Sequence, residues 1–328
     1  MDIERVKEYL GPEWVAVQEC VVGSLESDIA LLNQTNKLVL SHSGKQLRPI
    51  LTLLTARACA ADRCVSEATV RYAAAAELMH NATLLHDDVA DDSDQRRGVP
   101  TIRSFMGPTV SVLLGDYWLV KAIDLILRDH EADSKVIRIF SKTLGYLAEG
   151  ELLQLQKAQS GNTVEDDYLR IIYSKTASLF EASCVSAALS VGASESAVEA
   201  MKAYAVALGL AFQIKDDILD YDGTESVGKP LGVDILEQKM TMPLLGALTN
   251  AGPDEDKRIR ALVKDIVGHP EYRDEIVDFV KANGGMEYAS ERLDFFVNQA
   301  VEALGVLPES YEKELLVKLA RYTANREK

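Results

Sequence analysis

The stretch that decides the fold runs from Tyr168 to Ser183 and reads YLRIIYSKTASLFEAS. The residues that would form one helix face recur in it at intervals of three and four: Leu169, Ile172, Thr176 and Leu179. No proline occurs between Pro108 and Pro230, so nothing of that kind interrupts helical hydrogen bonding over this distance. The sequence therefore predicts an all-α protein, in which Lys175 and Thr176 lie within a helix.

The composition supports a helical fold and a single domain. Only 6% of the 328 residues are aromatic, whereas alanine and leucine are plentiful, as close helix packing prefers. The segment from Thr163 to Asp166 (TVED) has the pattern of a capping box that opens a helix. No Ser-rich or Pro-rich linker divides the chain, so we predict one domain over residues 1–328.

Charge and hydropathy restrict the possible partners. The formal net charge is −16, which argues against nucleic acid as a partner because phosphate binding favours a basic face. The first residues contain no signal-peptide core, and apolar windows such as 205–214 are too short to span a bilayer. The four cysteines form no CxxC pair and suggest buried thiols in a reducing compartment. We expect a cytoplasmic protein without an integral membrane segment.

Two acidic motifs suggest metal chemistry. HDDVAD at residues 86–91 and KDDILD at residues 215–220 share the pattern DDxxD. On a helix, positions i and i+4 lie on one face, so each motif projects carboxylates together. Mg²⁺ prefers such hard oxygen ligands and commonly binds one or two carboxylates plus substrate phosphate oxygens. The candidate metal ligands are Asp87, Asp88, Asp91, Asp216, Asp217 and Asp220.

The acidic motifs also allow two simpler interpretations. A single DDxxD is more often a solvated acidic helix face, but two copies beside apolar runs favour a functional role. A calcium loop of the EF-hand type fails on spacing: with Gly223 at its sixth position, Ile218 and Lys229 would stand at its first and twelfth positions.

Basic residues accompany the acidic motifs. Each could be an ordinary surface charge, and Lys45 and Arg48 could cap a helix end. His80, alone, would more often be a structural histidine. The candidate residues are Lys45, Arg48, His80, Arg96, Arg97, Lys175, Lys229 and Lys239.

Taken together, these segments resemble the trans-isoprenyl (polyprenyl) diphosphate synthases. The resemblance spans nearly the whole chain, in the family's order: GKQLRP, ELMHNATLLHDDVADDSDQRRGVPT, YSKTASLFEAS, AFQIKDDILDYDG and GKPLGVDILEQKMTMPLL. One departure is Gln238, where the family commonly has glycine before the lysine of the last motif. A bulkier residue at this expected turn puts the local loop shape in question, but not the role of Lys239.

The resemblance implies an isoprenoid-synthase-type helical bundle with a central active-site cavity. The implied reaction joins isopentenyl diphosphate to an allylic diphosphate, with two or three Mg²⁺ ions, in a homodimer. Direct metal ligands would be Asp87, Asp91 and Asp216, assisted by Asp88, Asp217 and Asp220. The allylic diphosphate would contact Arg96, Lys175, Thr176, Gln213, Lys229 and Lys239, and isopentenyl diphosphate would contact Lys45, Arg48, His80 and Arg97. The residues expected to serve catalysis itself are Asp87, Asp91, Arg96, Lys175, Asp216 and Lys239.

The residues ahead of the first motif bear on product length. Thr83 and Met79 precede Asp87 on one helix stripe, and Ala82 lies beside Thr83. In the family, bulky aromatic residues here stop chain growth early, whereas Ala82 and Thr83 are small and Met79 is flexible. We therefore expect a long, octaprenyl-like product, although small residues at these positions also permit close helix packing.

Several alternatives remain open from sequence alone. A shorter product, of farnesyl or geranylgeranyl length, is one. A non-catalytic subunit of a heteromeric synthase is another, although such partners typically lose part of an aspartate motif. A terpene cyclase or a squalene-synthase-like enzyme would share acidic motifs but would not need Lys45, Arg48 and Arg97.

Overall fold

The structure is a computed structural model that describes residues 1–96, 98–128, 134–222 and 232–326. It confirms the predicted all-α class, and a two-stranded antiparallel hairpin is the one sheet among these residues. The helices of the first half are α1 Ile3–Leu10, α2 Pro12–Ser24, α3 Ala30–Leu40, α4 Leu47–Cys59, α5 Glu67–Ala90, α6 Ile102–Met106, α7 Pro108–Leu127 and α8 Ser134–Ser160. The hairpin strands are β1 Gln95–Arg96 and β2 Val99–Pro100.

The second half is also helical. Its helices are α9 Glu165–Ile172, α10 Ser178–Ser190, α11 Glu195–Asp222, α12 Val233–Leu236, α13 Met242–Asn250, α14 Pro253–Asp265, α15 Tyr272–Ala282, α16 Gly285–Ala303 and α17 Tyr311–Asn325. A π-helical turn, Tyr173–Ala177, joins α9 to α10, and a 3₁₀ turn, Leu304–Val306, follows α16.

The chain divides into two compact units. The first unit comprises Met1–Lys142, Ala182–Lys202 and Val306–Leu316, and the second comprises Thr143–Glu181, Ala203–Gly305 and Val317–Lys328. The prediction of a single domain over residues 1–328 is not tested by this division and stays a prediction.

The core of the first unit forms around α5. This helix packs on α7 most extensively, and also on α4 and α2. Its alanine-rich segment, Ala73–Ala76, is completely buried, because small side chains let neighbouring helices approach closely. Ser111 of α7 donates a 2.8 Å hydrogen bond to the carbonyl of Leu85, which ties α7 to the last turns of α5. The first acidic motif is thus attached to a well-packed helix pair.

In the second unit α13 packs against α16 and α15. Gly285 at the start of α16 lies so close to α13 that an added Cβ would clash with the Pro243 carbonyl. The second acidic motif belongs to the last two turns of α11.

Three local predictions from the sequence differ from the structure. The predicted capping box begins one residue too early: α9 starts at Glu165 with Val164 as its N-cap, and Asp167 accepts a 3.2 Å bond from the Val164 backbone N–H. Lys175 and Thr176 lie in the π-turn rather than in an α-helix, although the apolar spacing around them is helical. Of the four cysteines, only Cys184 is buried, and Cys64 is exposed in the turn between α4 and α5.

One helix of the described chain could cross a membrane by length and composition alone, namely α11. In the structure 61% of its most apolar window is buried, as expected for a helix in a protein core. The expectation of no integral membrane segment therefore stays a prediction.

Candidate active site

The first acidic motif ends helix α5. Asp87 and Asp88 lie in its last turn, and Asp91 is its C-cap, with its backbone N–H 2.8 Å from the Asp87 carbonyl. The negative end of a helix dipole disfavours carboxylates, so their placement here costs free energy. A bound cation would offset that cost.

Arg96 pairs with the buried aspartate of the first motif. Its Nε lies 2.8 Å from Oδ1 of Asp88, which is 4% exposed. Burial raises the pKa of Asp88 above its ordinary value, and the Arg96 guanidinium opposes that rise. Strand β1 positions Arg96 by pairing with β2, in the register Arg96 to Val99.

Two further aspartates in the loop after α5 serve a different purpose. Arg103 of α6 forms ion pairs with Asp92 and, at 2.7 Å, with Asp94. These two exposed carboxylates thereby stabilise the loop and the start of α6, instead of adding to the motif. Arg103 was not among the predicted functional residues.

The basic residues of the first unit lie at helix positions that their charge does not favour. Lys45 lies two residues before α4, next to its N-cap Gln46, and Arg48 lies in the first turn of the helix. The helix dipole at this end favours a bound anion beside these cations, and the alternative that Lys45 and Arg48 cap a helix end is not tested by their position in the sequence. Gln46, between them, has a left-handed backbone with φ of 54°. His80 is partly exposed on α5, two turns before Asp87.

In the second motif the first aspartate is paired with the C-terminal end of the chain. Arg326, only 7% exposed, places Nη2 2.6 Å from Oδ1 of Asp216 and 2.8 Å from the carbonyl of Phe212. Its guanidinium also stacks 3.9 Å from the centroid of the Phe212 ring. Nothing in the sequence pairs these residues, which lie 110 positions apart.

A chain of hydrogen bonds connects the Lys-Thr segment to the second motif. Thr176 bonds to the side-chain oxygen of Gln213 at 3.0 Å, and the Gln213 amide donates to Asp217 at 3.0 Å. The hydroxyl of Tyr168, itself 3% exposed, donates to the other oxygen of Asp217 at 2.5 Å. Burial raises the pKa of Asp217 well above its usual range, and these two donors oppose the rise. The chain fixes the orientation of three predicted site residues, Thr176, Gln213 and Asp217.

The last aspartate of the motif organises the segment that follows. Asp220 accepts backbone hydrogen bonds from Val233 and Asp234, both at 3.2 Å, at the start of α12. Burial and the charge of Asp220 raise the pKa of Asp234 to about 6, against the opposing charge of Lys239. Asp234 is a further acidic group that the DDxxD pattern did not reveal.

A cavity of about 140 Å³ opens beside these groups in the second unit. Its wall includes the predicted residues Lys175, Thr176, Gln213, Asp217 and Lys239. Lys175 is held there by an ion pair with Glu151 and a 3.1 Å hydrogen bond to Gln154, both on α8. Lys239 forms an ion pair with Glu237. Cations, hydroxyl and amide groups thus share one small space, as a diphosphate requires.

The backbone of the last predicted motif forms the expected turn at Gln238, although glycine is absent there. Gln238 adopts a left-handed backbone with φ of 59°, a conformation that glycine accepts more readily. Its side chain donates a 2.6 Å hydrogen bond to the Lys264 carbonyl, which stabilises the turn. The departure from the family pattern therefore leaves the loop able to present Lys239 to the cavity.

The acidic residues suit a hard divalent cation in their chemistry. After burial, the charges of Asp234 and Asp216 contribute to the raised pKa of Asp217, and those of Asp220 and Asp216 contribute to the raised pKa of Asp234. Oxygen ligands of this kind match Mg²⁺. Among the described residues no three His, Cys, Asp or Glu side chains already form a tight metal cluster.

Arg97 and Lys229 lie outside the described residues. Of the residues predicted to set product length, Met79 and Ala82 are buried, with 1% and 0% exposure, whereas Thr83 is partly exposed. Thr83 is therefore the one of these three side chains that is partly exposed.

Comparison with known proteins decides the family. The model of the family described as polyprenyl synthetase matches residues 29–280, a range that contains every predicted site residue. The chain belongs to the polyprenyl synthetase family. It is a transferase, a trans-prenyl diphosphate synthase, with the all-α isoprenoid synthase fold.

Relatives of this synthase match over their full length. The octaprenyl diphosphate synthase of Escherichia coli (strain K12) is 34% identical over 329 residues, which cover 100% of both chains. The all-trans-nonaprenyl-diphosphate synthase (geranyl-diphosphate specific) of Rhodobacter capsulatus is 35% identical, with 99% of both chains covered. Other relatives are described as heptaprenyl or short-chain isoprenyl diphosphate synthases, so the family alone does not fix product length.

A solved structure gives the same fold. The polyprenyl synthase of Caulobacter crescentus CB15, crystallised with calcium and isoprenyl diphosphate, superimposes with a TM-score of 0.89 at 32% identity. The match covers 100% of this chain and 98% of the other.

Proposed function

We propose that this synthase condenses isopentenyl diphosphate with an allylic diphosphate, in a Mg²⁺-dependent reaction, to a long-chain all-trans polyprenyl diphosphate of about octaprenyl length. The observation that carries the proposal is the cavity of the second unit, where Lys175, Thr176 and Lys239 lie beside the second acidic motif. A diphosphate leaving group needs cations and hydrogen-bond donors of this kind, because negative charge develops on it as the allylic C–O bond breaks.

Different residues of the site bind the two substrates. Lys175, Thr176 and Lys239 contact the allylic diphosphate, and Gln213 is oriented by Thr176 and Asp217. Arg96, which pairs with Asp88, would contact the allylic diphosphate, as the family resemblance implies. Lys45, Arg48 and His80 bind isopentenyl diphosphate, whose double bond then attacks the allylic cation. No protein nucleophile is needed, and the proton lost from the adduct passes to the departing diphosphate.

Divalent cations complete the proposed site. Asp87 and Asp91 of the first motif and Asp216 of the second would hold Mg²⁺, with Asp88, Asp217 and Asp220 in support. Bound Mg²⁺ supplies Lewis-acid stabilisation of the leaving diphosphate. The calcium and isoprenyl diphosphate in the Caulobacter crescentus crystal support a metal-assisted diphosphate site in the family.

The long product is supported by two independent observations. Relatives 34% and 35% identical over essentially the full length are octaprenyl and nonaprenyl diphosphate synthases. In addition, Ala82 and Thr83 are small at the positions ahead of the first motif where bulky aromatic residues stop growth early in the family. A phenylalanine at position 82 would place an aromatic ring where the chain now has a methyl group.

The deciding experiment is product sizing. The purified chain is incubated with radiolabelled isopentenyl diphosphate, Mg²⁺ and geranyl or farnesyl diphosphate, and the dephosphorylated products are separated by chromatography. We expect a product near eight isoprene units from the parent and shorter products from Ala82→Phe. A farnesyl-length or geranylgeranyl-length product from the parent would overturn the long-chain proposal, and an unchanged length in Ala82→Phe would remove that residue from the growth path.

The same assay tests the alternative of a subunit in a heteromeric synthase. Two relatives are described as component 2 of a heptaprenyl diphosphate synthase, which gives that alternative a specific basis. Both acidic motifs are intact here, so we expect the chain alone to be active, as a homodimer in the cytoplasm. Activity that appears only after a second component is added would favour the alternative.

A further inference from the structure

The segment that carries Lys175 and Thr176 is wider than an α-helix. At the π-turn Tyr173–Ala177 the backbone N–H of Ser178 bonds to the carbonyl of Tyr173, five residues back. A π-turn accommodates an extra residue and pushes the backbone outward, and such bulges occur frequently at functional sites. Helices packed beside it must make room for that bulge.

On one side the room is made by Gly150 of α8. A Cβ atom at this position would lie 2.6 Å from the Cβ of Ser174 and 3.0 Å from the Cγ of Lys175. Real Cβ atoms do not approach this closely, so a side chain at position 150 would displace the π-turn or α8. Ser174 cannot move aside easily, because it is 6% exposed and its carbonyl accepts a 2.7 Å bond from Ser178.

Gly209 of α11 makes room on another side. A Cβ atom there would lie 2.5 Å from the Cα and 2.6 Å from the Cβ of Ala177. The first of these atoms belongs to the backbone, which a rotamer change cannot relieve. Both glycines are buried in the structure.

Each glycine is followed, one helical turn later, by a glutamine that binds the π-turn. The segments are Gly150–Gln154, GELLQ, and Gly209–Gln213, GLAFQ. Gln154 accepts from Lys175 at 3.1 Å, and Gln213 bonds to Thr176 at 3.0 Å. Residues i and i+4 share a helix face, and the side chain of i+4 leans back over residue i. The same G-x-x-x-Q arrangement therefore holds Lys175 from α8 and Thr176 from α11.

We propose that Gly150 and Gly209 are positioning residues for the allylic diphosphate: they let two helices close on the π-turn, so that the paired glutamines hold Lys175 and Thr176 in place. The inference rests on the proposed role of Lys175 and Thr176 in binding that diphosphate. It assigns the glycines no direct contact with substrate. A substitution at either one is expected to weaken binding of the allylic substrate and to leave the binding of isopentenyl diphosphate unchanged.

The test compares Michaelis constants for the two substrates in Gly150→Ala. We expect the KM for the allylic diphosphate to rise about tenfold or more, since displacement of a binding group by about 1 Å is costly. The KM for isopentenyl diphosphate, bound by other residues, should stay within about twofold of the parent value. The matched control is Gly145→Ala on the same helix, where an added Cβ meets nothing within 4 Å; it should match the parent in both constants.

A second substitution separates positioning from general damage. Ser174→Gly removes the atom that lies 2.6 Å from the added methyl group, so Gly150→Ala/Ser174→Gly should recover most of the allylic KM. For Gly209→Ala the companion Ala177→Gly should not recover it, because the Ala177 Cα remains in the way. If Gly150→Ala alone does not fold, the double variant decides: a folded protein with a near-parent allylic KM supports the inference.

Other outcomes overturn the inference. These are an unchanged allylic KM in folded Gly150→Ala, an equal rise in both constants, or a double variant that stays unfolded or binds both substrates poorly. Lys175→Ala tests the underlying function separately. If it leaves the allylic KM unchanged, the proposed role of Lys175 fails; if it raises that KM while Gly150→Ala does not, only the positioning role fails.

Discussion

Arg326 neutralises Asp216: its Nη2 lies 2.6 Å from Oδ1 of the first aspartate in the second motif. The arginine sits just beyond the last helix and stacks on Phe212, one turn before that aspartate. The proposed metal ligand Asp216 is thus already paired with a positively charged side chain of the protein. Any divalent cation at Asp216 binds next to this charge.

Removal of that charge should strengthen binding of Mg²⁺. Loss of one positive charge near the site lowers the electrostatic cost of a cation by about 1 kcal/mol, or about fivefold in affinity. We expect isothermal titration of the metal-free protein with Mg²⁺ to show this gain in Arg326→Gln. Arg326→Lys keeps the charge and should differ from the parent by about twofold at most. Weaker Mg²⁺ binding in Arg326→Gln would show that the arginine supports the site instead of competing with the metal.

Asp234 should make the stability of the metal-free protein depend on pH. Its pKa is raised to about 6 in the folded state, from an ordinary value of 3.8. The folded protein therefore holds this proton more tightly, so the stabilisation is complete below about pH 4 and is lost as pH rises through 6. We expect the parent to lose about 2 kcal/mol of unfolding free energy over this range relative to Asp234→Asn. Urea unfolding in EDTA measures the difference, and parallel pH profiles for the two proteins would contradict it.

Tyr168 should matter for stability through its hydroxyl alone. It donates to Asp217 in a buried setting, and its loss leaves a buried carboxylate with one fewer donor. We expect Tyr168→Phe to lower the unfolding free energy by about 2 kcal/mol. The control, Tyr117→Phe, gives up long bonds to the carbonyls of Glu26 at 3.3 Å and Leu25 at 3.5 Å at a partly exposed position, and should cost less than about 0.5 kcal/mol. Equal costs at the two positions would argue against the Asp217 contact.

The apolar stripe on α7 is the surface we expect a second copy of the chain to cover. Leu113, Val120 and Leu127 recur every seven residues and are 63%, 54% and 50% exposed. Such a stripe on a surface helix is usually buried against a partner. Light scattering should give twice the chain mass of 36.0 kDa for the parent and the single mass for Leu113→Glu. Val267→Glu, at an isolated site of 71% exposure, should remain dimeric; a monomeric parent would contradict the expectation.

Substitution of two aspartates in the first acidic stretch, Asp87 and Asp92, should have very different effects on kcat. Asp87 belongs to the DDxxD motif, whereas Asp92 is 86% exposed on its side chain and paired with Arg103. We expect Asp87→Ala to lower kcat by about a thousandfold at saturating Mg²⁺, since it removes a metal ligand, and to leave the melting temperature nearly unchanged. Asp92→Asn should keep kcat within about threefold of the parent. Comparable activity in the two variants would refute the metal role of Asp87.

The sequence predicted the elements that depend on local pattern. The helical class, the two aspartate motifs and the Lys-Thr segment could be found because residue type and spacing carry them. The resemblance then supplied roles that spacing alone does not define. The placement of Thr176, Gln213 and Asp217 in one hydrogen-bonded chain agrees with those roles, although it does not test them.

Other features depend on residues far apart in the chain. Arg326 meets Asp216 across 110 positions and Tyr168 meets Asp217 across 49, which periodicity cannot reveal. The π-turn escaped prediction because its apolar spacing is that of an α-helix, and the space it occupies depends on Gly150 and Gly209 on neighbouring helices. The G-x-x-x-Q pattern was visible in the sequence, but only the fold shows what it binds.

The most direct measurement follows incorporation of labelled isopentenyl diphosphate by the purified chain while Mg²⁺ is removed by EDTA and then restored. We expect incorporation to fall to background on chelation and to return when Mg²⁺ exceeds EDTA, because the leaving diphosphate needs the charge that the aspartate motifs recruit. Undiminished incorporation after thorough chelation would contradict a role for these motifs in metal-assisted prenyl transfer.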